Sequence, residues 1–350
     1  MWTLLTFIGL SKMYIYDINA PAKSLLLELG ITDLLNTEGV TEVAINRPKE
    51  IWFEKQAVWN KVDSDKISFD SCKKLANVLA VQVAGKSDQL RDLPICPVQL
   101  PDGERGQIVL PPATEKGCIS ITIRKPSNSR FTLDSYKESG RLSNYEVYKT
   151  KSDLQDFEKD MLMMLKKDDL KSFFEIAVKN KLNIICGGAT GSGKTTFLKA
   201  MADVYPPNRR YCTIEDVHEL SLPNHPNRVH LFYNQHIKAK SLVESCMRMK
   251  FDHIFMSELK GDETWSYFSL LNTGHNGSLT TAHFNDCNSA YSRLTELVKQ
   301  TDIGATLDYD FIYQTAQKTL DIVTFWEGSF LKGIKYEPEK KLELLSGSSR

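Results

Sequence analysis

A glycine-rich segment that directly follows an apolar run constrains the fold of this chain more than any other feature. The segment CGGATGSGKTT, residues 186–196, contains four glycines, three threonines and one lysine. Its core, residues 188–195, fits the pattern G-x-x-x-x-G-K-[ST]. The apolar run LNIICG precedes it and a good helix start, TTFLKAMADV, follows it. The sequence therefore predicts a strand, a glycine-rich loop and a helix in that order.

This order predicts a phosphate-binding loop. Glycines let consecutive backbone N–H groups turn inward around phosphate oxygens, and the helix N-terminus adds partial positive charge. We expect Lys194 to neutralise the β- and γ-phosphates of a nucleotide and the Thr195 hydroxyl to ligate Mg²⁺. Thr196 is better explained by helix capping or packing. The predicted binding segment is Gly188, Ala189, Thr190, Gly191, Ser192, Gly193, Lys194, Thr195 and Thr196.

Strand-like and helix-like segments alternate regularly after residue 171. Such alternation predicts βαβ units, and therefore a parallel sheet covered by helices. Ligands on such sheets bind at the carboxyl ends of the strands. The segments are helix KSFFEIAVKNK, strand LNIICG, strand YCTIED, helix KSLVESCMRM, strand HIFMSEL, helix DETWSYFSLLNTG, strand GSLTTAH and helix NSAYSRLTELVKQ.

The chain before residue 127 has a different pattern. Short β-rich runs (TEVAINR, EIWFEK, AVWNKV, GERGQIVLPPA and CISITIRKP) are mixed with two segments of helical spacing. We predict an N-terminal α+β domain over residues 1–126, a linker over residues 127–169 and an α/β domain over residues 170–350. One amphipathic helix, within KSDLQDFEKDMLMMLKKDDL, is expected in the linker. The alternative is that this helix belongs to the first domain.

Charge and cysteine content exclude some classes of protein. Lys plus Arg and Asp plus Glu both total 44, so net charge gives no argument for binding nucleic acid or an anionic membrane. The seven cysteines are scattered, odd in number and without a Cys-x-x-Cys pair. They indicate reduced cytoplasmic thiols, and they argue against a disulfide framework or a zinc clip.

The two ends of the chain carry weaker signals. The apolar stretch at residues 2–10 is too short to span a bilayer and lacks the features of a signal peptide. An interfacial anchor or start extension and a plain core strand or helix are equally good interpretations of it. The closing SGSSR is expected to be a flexible end.

Acidic residues follow two of the predicted strands. In HIFMSEL, Glu258 ends an apolar strand, where a parallel sheet would present it beside the phosphate loop. It is a candidate for positioning water or metal, and the alternative is an exposed strand-end glutamate. In TIEDVHEL, the residues Glu215, Asp216 and Glu219 follow another strand, and taken alone they favour an acidic turn.

Two histidines bracket a predicted strand. His275 and His283 flank NGSLTTA and lie eight residues apart, too far for one helical turn and without a third ligand at metal spacing. Sensing of the γ-phosphate and a structural role both remain open, and the structural role is the commoner one for a lone histidine.

Taken together, these segments resemble the secretion ATPases. The glycine-rich loop, TIEDVHEL, HIFMSELKGDET and GHNGSLTTAHFND resemble the Walker A motif, Asp box, Walker B motif and His box of that family, in the same order. In the first domain, LPDGERGQIVLPPAT and CISITIRKPS resemble signatures of the hexameric traffic ATPases of bacterial type IV secretion systems. The resemblance covers residues 30–283 and continues more weakly to the end. It implies a RecA-like P-loop ATPase domain preceded by a smaller α+β N-terminal domain.

The resemblance also implies roles for individual residues. It makes Lys194 and Thr195 the phosphate and magnesium residues, Glu215 and Glu258 the carboxylates that position water and metal, and His283 the γ-phosphate sensor. It assigns the magnesium ligands to Thr195 and Glu258. It further implies that Arg105 and Arg124 reach the phosphates, with Arg248 a candidate near the subunit boundary. A guanidinium suits developing phosphoryl charge, although composition alone favours arginines on a strand surface.

Some positions depart from the family pattern. RMKFD stands where RMRPD is usual, so Lys250 and Phe251 replace an arginine and a proline. SELKG stands for GELRG, which puts Ser257 before Glu258 and Lys260 in the place of an arginine. Lysine cannot reproduce a bidentate arginine contact, so any role of these two lysine positions is in doubt.

The function implied by the resemblance is Mg²⁺-dependent ATP hydrolysis in a homohexameric ring. Hydrolysis would move one domain relative to the other and drive substrate translocation or pilus assembly. ATP and Mg²⁺ are the expected ligands, with the nucleotide held between the two domains of one subunit. The expected partners are other secretion components, including coupling and assembly ATPases, at the cytoplasmic face of the inner membrane, to which the chain would be peripheral. No sequence feature directly indicates nucleic acid.

Three alternatives remain open at this point. Type II secretion or pilus-assembly ATPases share the second domain, but many assembly members carry a tetracysteine zinc module, which this chain lacks. A nucleic-acid motor on a RecA-like core predicts a basic, aromatic-bearing channel, which the neutral charge does not support. A nucleotide switch without turnover is the third alternative.

Overall fold

A computed structural model describes residues 17–84, 94–126, 130–145, 147 and 153–346. The apolar stretch at residues 2–10 and almost all of the closing SGSSR lie outside these ranges, so the interpretations of both stay predictions. Within the ranges, no helix is long and apolar enough to cross a membrane.

The first domain is built on an antiparallel sheet. The described strands have the order β3-β2-β1-β6-β5-β4, and every neighbouring pair is antiparallel. Its elements are α1 (Ala20–Glu28), α2 (Ile31–Asn36), β1 (Val40–Ile45), β2 (Glu50–Lys55), β3 (Val58–Asp63), α3 (Phe69–Ala84), β4 (Ile95–Gln99), β5 (Arg105–Val109) and β6 (Ser120–Arg124).

Both faces of the central strands β5 and β6 are buried, for different reasons. On one face, Ile108 and Ile121 join Leu75 and Leu79 of α3 in the apolar core, and none of these side chains is exposed. Burying each one contributes about 1.5–3 kcal/mol. On the other face, polar side chains such as Thr122 are buried against the second domain. The alternation of apolar and polar residues therefore fits a sheet between helices and a second domain.

The second domain is built on a mostly parallel sheet covered by helices. In the described chain the strand order is β13-β12-β7-β11-β10-β8-β9. All neighbouring pairs are parallel except β12 with β13. Its elements are α6 (Leu170–Lys179), β7 (Ile184–Gly188), α7 (Lys194–Ala202), β8 (Tyr211–Glu215), β9 (Arg228–Phe232), α8 (Ala239–Cys246), β10 (His253–Leu259), α9 (Glu263–Leu271), β11 (Leu279–Ala282), α10 (Ala290–Lys299), α11 (Asp302–Thr306), α12 (Tyr309–Thr319), β12 (Ile322–Glu327), β13 (Phe330–Lys335) and α13 (Pro338–Ser346).

The register of this sheet brings three loops to one edge. Gly187 near the end of β7 is paired with Ala282 at the end of β11, and Ala282 is paired with Leu259 at the end of β10. The segments that follow these strands therefore leave the sheet together at its carboxyl edge, where ligands of α/β proteins bind.

The described part of the segment between the domains includes the helices α4 (Leu133–Glu138) and α5 (Asp156–Lys166). No residue of α4 is buried. In contrast, Met161 of α5 is fully buried in a cluster with Phe173 and Ala177 of α6. Part of the predicted linker thus contributes to the core of the second domain, while the division at residues 127 and 170 stays a prediction.

A buried arginine joins the two domains. Arg210, which precedes β8, has no exposed surface. Its guanidinium donates to the side-chain oxygens of Asn46 (2.9 Å) and Thr122 (3.1 Å) in the first domain. It also donates to the side-chain oxygen of Asn227 (2.7 Å) and the backbone carbonyl of Met249 (3.0 Å) in the second. Burial lowers the pKa of Arg210 to about 10, so the side chain stays charged at neutral pH.

A short backbone pairing forms a second contact between the domains. The Phe232 N–H donates to the Ala113 carbonyl at 2.9 Å, and Thr114 forms an antiparallel bridge with Leu231. The Thr114 hydroxyl also donates to the His230 carbonyl at 2.8 Å. Since β9 is the outer strand of the second sheet, the first domain covers its open edge.

Candidate functional site: a phosphate-binding loop with a facing carboxylate

The glycine-rich loop lines a cavity of about 850 Å³ at the carboxyl edge of the second sheet. Lys194 and Thr195 line one side of it, at the start of α7. Glu258, from the end of β10, and His283, directly after β11, also line it. Four of the predicted site residues, Lys194, Thr195, Glu258 and His283, are therefore brought together. Thr196 and residues 190–193 line the same cavity.

Two positions of this loop require glycine, one for its backbone conformation and one for its close approach to a neighbouring strand. Gly193 precedes α7 with φ of 93°, in the left-handed region that other residues rarely adopt. Gly188 has φ of 143°, and a Cβ there would lie 2.2 Å from the carbonyl oxygen of Trp326 in β12. A side chain at residue 188 would therefore push the loop away from the neighbouring strand and change the position of its N–H groups.

Lys194 is held inside the loop that it belongs to. Its side chain is buried, and its ammonium donates to the carbonyl oxygens of Gly188 (2.8 Å) and Ala189 (2.7 Å). Burial lowers the pKa of Lys194, while the charge of Glu258 partly opposes this shift. The loop is thus closed around a desolvated positive charge at its centre.

His283 connects the loop to the carboxylate that faces it. Its Nδ1 lies 2.9 Å from the Gly188 carbonyl oxygen, and its Nε2 lies 2.8 Å from Glu258 Oε1. The imidazole ring therefore bridges the loop and the facing carboxylate.

Lys260 bridges two carboxylates of the site. Its ammonium lies 3.1 Å from Glu258 Oε2 and 2.8 Å from Asp216 Oδ2. Burial opposes the charge of Lys260, but the hydrogen bonds to Asp216 and Glu258 outweigh it, and its pKa is raised. A lysine here makes one contact with each of two carboxylates, so a bidentate fork is not required.

Glu215 lies next to the cavity and does not line it. Its side chain is fully buried, and Oε2 accepts from the N–H groups of Glu219 (2.8 Å) and Leu220 (2.7 Å). Oε1 accepts from the hydroxyl of Thr213 at 2.7 Å and from His218 Nδ1 at 3.3 Å. The carboxylate thus shapes the turn that brings Asp216 into the cavity, and its predicted action on water or metal stays a prediction.

The predicted arginines lie in another cavity. Arg105 and Arg124 are paired across β5 and β6. With Arg248 and Lys250, they line a cleft of about 850 Å³ where the two domains meet. Within the first domain Arg124 contacts Glu42 (3.6 Å), and across the boundary Lys250 of the second domain contacts Glu54 (3.2 Å). The described lining of the phosphate-loop cavity comes from the second domain alone, so this single chain does not bring Arg105 or Arg124 to that loop.

Some contacts of the site could not be inferred from the sequence. The hydroxyls of Ser192 and Ser257 are buried with no hydrogen-bond partner among the described residues. Thr281 lines the cavity and donates to the Ser257 carbonyl at 2.7 Å. Ser329, in the turn between β12 and β13, packs against Gly193. Because Ser329 lies far from the loop along the chain, local sequence patterns do not indicate this contact.

This fold and this cavity place the chain among the P-loop ATPases that carry a separate N-terminal domain. The family model described as "Type II/IV secretion system protein" matches residues 28–324, and the chain belongs to that family.

Individual relatives agree with this assignment. The chain is 36% identical over 325 residues to the type IV secretion system protein VirB11 of Brucella suis, with 89% of each chain covered. It is 31% identical over 300 residues to VirB11 of Agrobacterium tumefaciens, covering 84% of this chain and 86% of the relative.

A solved structure supports the same assignment. The crystal structure of the VirB11 ATPase of the Brucella suis type IV secretion system, in complex with sulphate, matches with a TM-score of 0.85 and 35% identity. The match covers 92% of this chain and 99% of that one. The resemblance stated from the sequence is confirmed, and with it the α/β fold class and the identification as an ATPase.

Proposed function

We propose that this chain is the Mg²⁺-dependent ATPase motor of a bacterial type IV secretion or conjugation system. It works as a homohexameric ring that powers substrate translocation, pilus assembly or both through nucleotide-driven domain motion. The observation that carries this proposal is the path from the Gly188 carbonyl through His283 to Glu258, because it joins the phosphate loop to the facing carboxylate. The relatives named as type IV secretion system proteins support the assignment of the system.

The donor set at the loop fits a magnesium nucleotide. The Thr195 hydroxyl and the Glu258 carboxylate are hard oxygen donors of the kind that Mg²⁺ prefers, and they would hold the ion. The unpartnered hydroxyls of Ser192 and Ser257 leave polar capacity for phosphate oxygens or water at the same place. When bound, Mg²⁺ neutralises charge on the phosphates.

Three side chains of the site have separate roles in hydrolysis. Lys194 turns its desolvated ammonium from the two loop carbonyls to the phosphates, where a low dielectric strengthens the attraction. Glu258 orients the attacking water. His283 senses the γ-phosphate, because a movement of its ring changes both the contact with the Gly188 carbonyl and the contact with Glu258.

The interdomain cleft supports a moving first domain. Arg105 and Arg124 would reach phosphates only after a domain movement or from a neighbouring subunit, because they line a separate cavity in this chain. Arg248 lines the same cleft from the second domain and is the candidate at the subunit boundary. Two arginines paired across adjacent strands suit the charge of a phosphoryl group.

The proposed role also implies a location for the ring and specific protein partners. We place the ring at the cytoplasmic face of the inner membrane as a peripheral component, in contact with the coupling and assembly ATPases of the system. The similarity to a type IV secretion system protein supports a component of such a system.

Glu258→Gln tests the proposal because it keeps the size and removes the charge of the facing carboxylate. We expect Mg²⁺-dependent ATP turnover to fall about 100-fold or more while nucleotide binding is retained. Glu244→Gln, an exposed position on α8, is the matched control and should leave turnover unchanged. Wild-type protein that binds ATP without any turnover would instead support the alternative function, a nucleotide-binding switch that does not hydrolyse ATP. Turnover that survives in Glu258→Gln would contradict the role of this carboxylate.

A further inference from the structure

A cluster of metal-binding side chains lies apart from the phosphate loop, at the contact between the two domains. Glu115, His218 and His230 each offer one ligand atom, and these three atoms lie within 4.8 Å of one another. Glu115 belongs to the first domain and is half-buried. His218 is exposed and His230 is buried, and both belong to the second domain.

The backbone of the two domains builds this cluster. The bridge between Thr114 and Leu231 and the hydrogen bond from the Phe232 N–H to the Ala113 carbonyl fix the segment next to β9. Glu115 follows Thr114 directly, so the same pairing delivers its carboxylate beside the ring of His230. The cluster therefore depends on docking of the first domain.

Hydrogen bonds assign the ring nitrogen that each histidine presents. The Thr213 hydroxyl donates a hydrogen bond to Glu215 at 2.7 Å, so its oxygen accepts a hydrogen bond from the Nδ1–H group of His230 at 2.7 Å. Glu215 accepts from His218 Nδ1 at 3.3 Å. With both Nδ1 atoms acting as donors, both Nε2 atoms are left with a lone pair. Histidines that bind metals are commonly oriented in this way, with the second nitrogen donating to a carboxylate or another acceptor.

The surrounding charge allows a cation. Arg47 and Arg228 lie near His230 and oppose a positive ion. However, Arg47 is paired with Glu50 at 3.1 Å. The carboxylates of Glu115 and Glu215 supply two negative charges at the cluster itself, so the local charge does not exclude a divalent ion.

We propose that Glu115, His218 and His230 bind one divalent transition-metal ion, with zinc the best match, across the contact between the two domains. Two imidazoles and one carboxylate are a typical zinc ligand set with one position open. Ligand atoms of tetrahedral zinc lie about 3.4 Å apart, given bonds of about 2.1 Å. The ligand atoms of the cluster lie within 4.8 Å of one another, so they would have to move closer, and His218 is exposed and Glu115 half-buried. The ion stabilises docking of the first domain on the turn that carries Glu215.

The test uses metal-stripped full-length protein without nucleotide, titrated with Zn²⁺ by calorimetry and with Co²⁺ by visible absorption. We expect one saturable site per chain. His218→Ala and Glu115→Gln should each weaken binding by about 10-fold or more. His236→Ala, which removes another exposed histidine, should bind as the wild type does. Melting temperatures of the metal-free variants must match the wild type, and Zn²⁺ should raise the melting temperature of the wild type and His236→Ala only.

Three results would overturn the proposal. The first is the absence of a saturable site in the wild type, and the second is equal affinity in all variants. The third is a site that His218→Ala and Glu115→Gln retain and that His283→Ala removes, because this would place the ion beside Glu258. Each of these leaves the proposed ATPase role untouched, since Glu115, His218 and His230 do not line the phosphate-loop cavity.

Discussion

At the scale of single residues, the phosphate-loop cavity concentrates positive charge around one carboxylate. Glu258 contacts His283 and Lys260 directly, and the charge of Lys194 also acts on it. Asp216 offsets part of this charge through its contact with Lys260. A polyphosphate brings several negative charges, so binding it relieves the mutual repulsion of the cations. The site is therefore electrostatically suited to a triphosphate.

A second carboxylate, in the interdomain cleft, makes stability depend on pH. Glu42 is 2% exposed, and burial raises its pKa to about 7, although Lys250 and Arg124 partly oppose this shift. The folded state therefore binds a proton more tightly than the unfolded state, whose Glu42 has an ordinary pKa near 4.5. As pH rises from about 4.5 to 7, this group lowers the free energy of unfolding by on the order of 2–3 kcal/mol.

Glu42→Gln removes this titration. We expect the variant to be more stable than the wild type at pH 8 and to lose that advantage at pH 4.5, as measured by urea unfolding. Glu138→Gln, at an exposed position of α4, controls for a change of surface charge and should follow the wild type. A difference between Glu42→Gln and wild type that stays constant with pH would contradict the raised pKa.

The residues of the phosphate site were predictable to different degrees. Lys194, Thr195, Glu258 and His283 could be found because each stands in a short motif next to a strand end. The bridge from Lys260 to Asp216 could not, since the two residues come from different loops and only the strand order brings them together. The orientation of Glu215, away from the cavity, depends on N–H groups of its own turn.

At the scale of secondary-structure elements, Arg210 determines how the first sheet sits on the second domain. Arg210→Ala would remove the donor to the buried side-chain oxygens of Asn46 and Thr122, whereas Asn227 Oδ1 would keep the hydrogen bond from Asn46 Nδ2. We expect the free energy of unfolding to fall by about 3 kcal/mol or more, measured by urea denaturation.

Arg209→Ala provides the matched control for this prediction. Arg209 is 44% exposed and lies 3.9 Å from Asp252. Since exposed ion pairs contribute about 0–1 kcal/mol, its loss should hardly change stability. Equal effects of the two substitutions would show that the buried hydrogen bonds of Arg210 do not hold the domains together.

Some elements could be predicted from the sequence and others could not. β2 and β10 coincide with the predicted runs EIWFEK and HIFMSEL, because apolar and β-branched residues of strand length mark both. β4 contains Pro97 and β9 is an edge strand of mixed polarity, so neither carries a clear pattern. The elements after residue 300, including β12, were not predicted, although β12 pairs directly with β7. These two strands are far apart along the chain, so their pairing depends on long-range contacts that local sequence patterns do not encode.

At the scale of the whole molecule, the two domains form a unit whose phosphate loop and arginine cleft are separate. Arg105 and Arg124 face the cleft, while Lys194 and Glu258 face the loop cavity. A motor that uses both sets of residues needs movement between domains or contact between subunits. We therefore predict that ATP turnover depends on assembly of the chains into a ring.

Dependence on assembly can be tested by measuring Mg²⁺-dependent ATP turnover per chain across a wide range of protein concentration. We expect specific activity to rise with concentration and reach a plateau as rings assemble. Lys194→Ala should be inactive throughout, whereas Lys199→Ala, an exposed lysine on the same helix, should follow the wild type. Turnover that does not change with concentration would mean that each chain works alone and would contradict the ring. Absence of turnover at every concentration would contradict the motor itself.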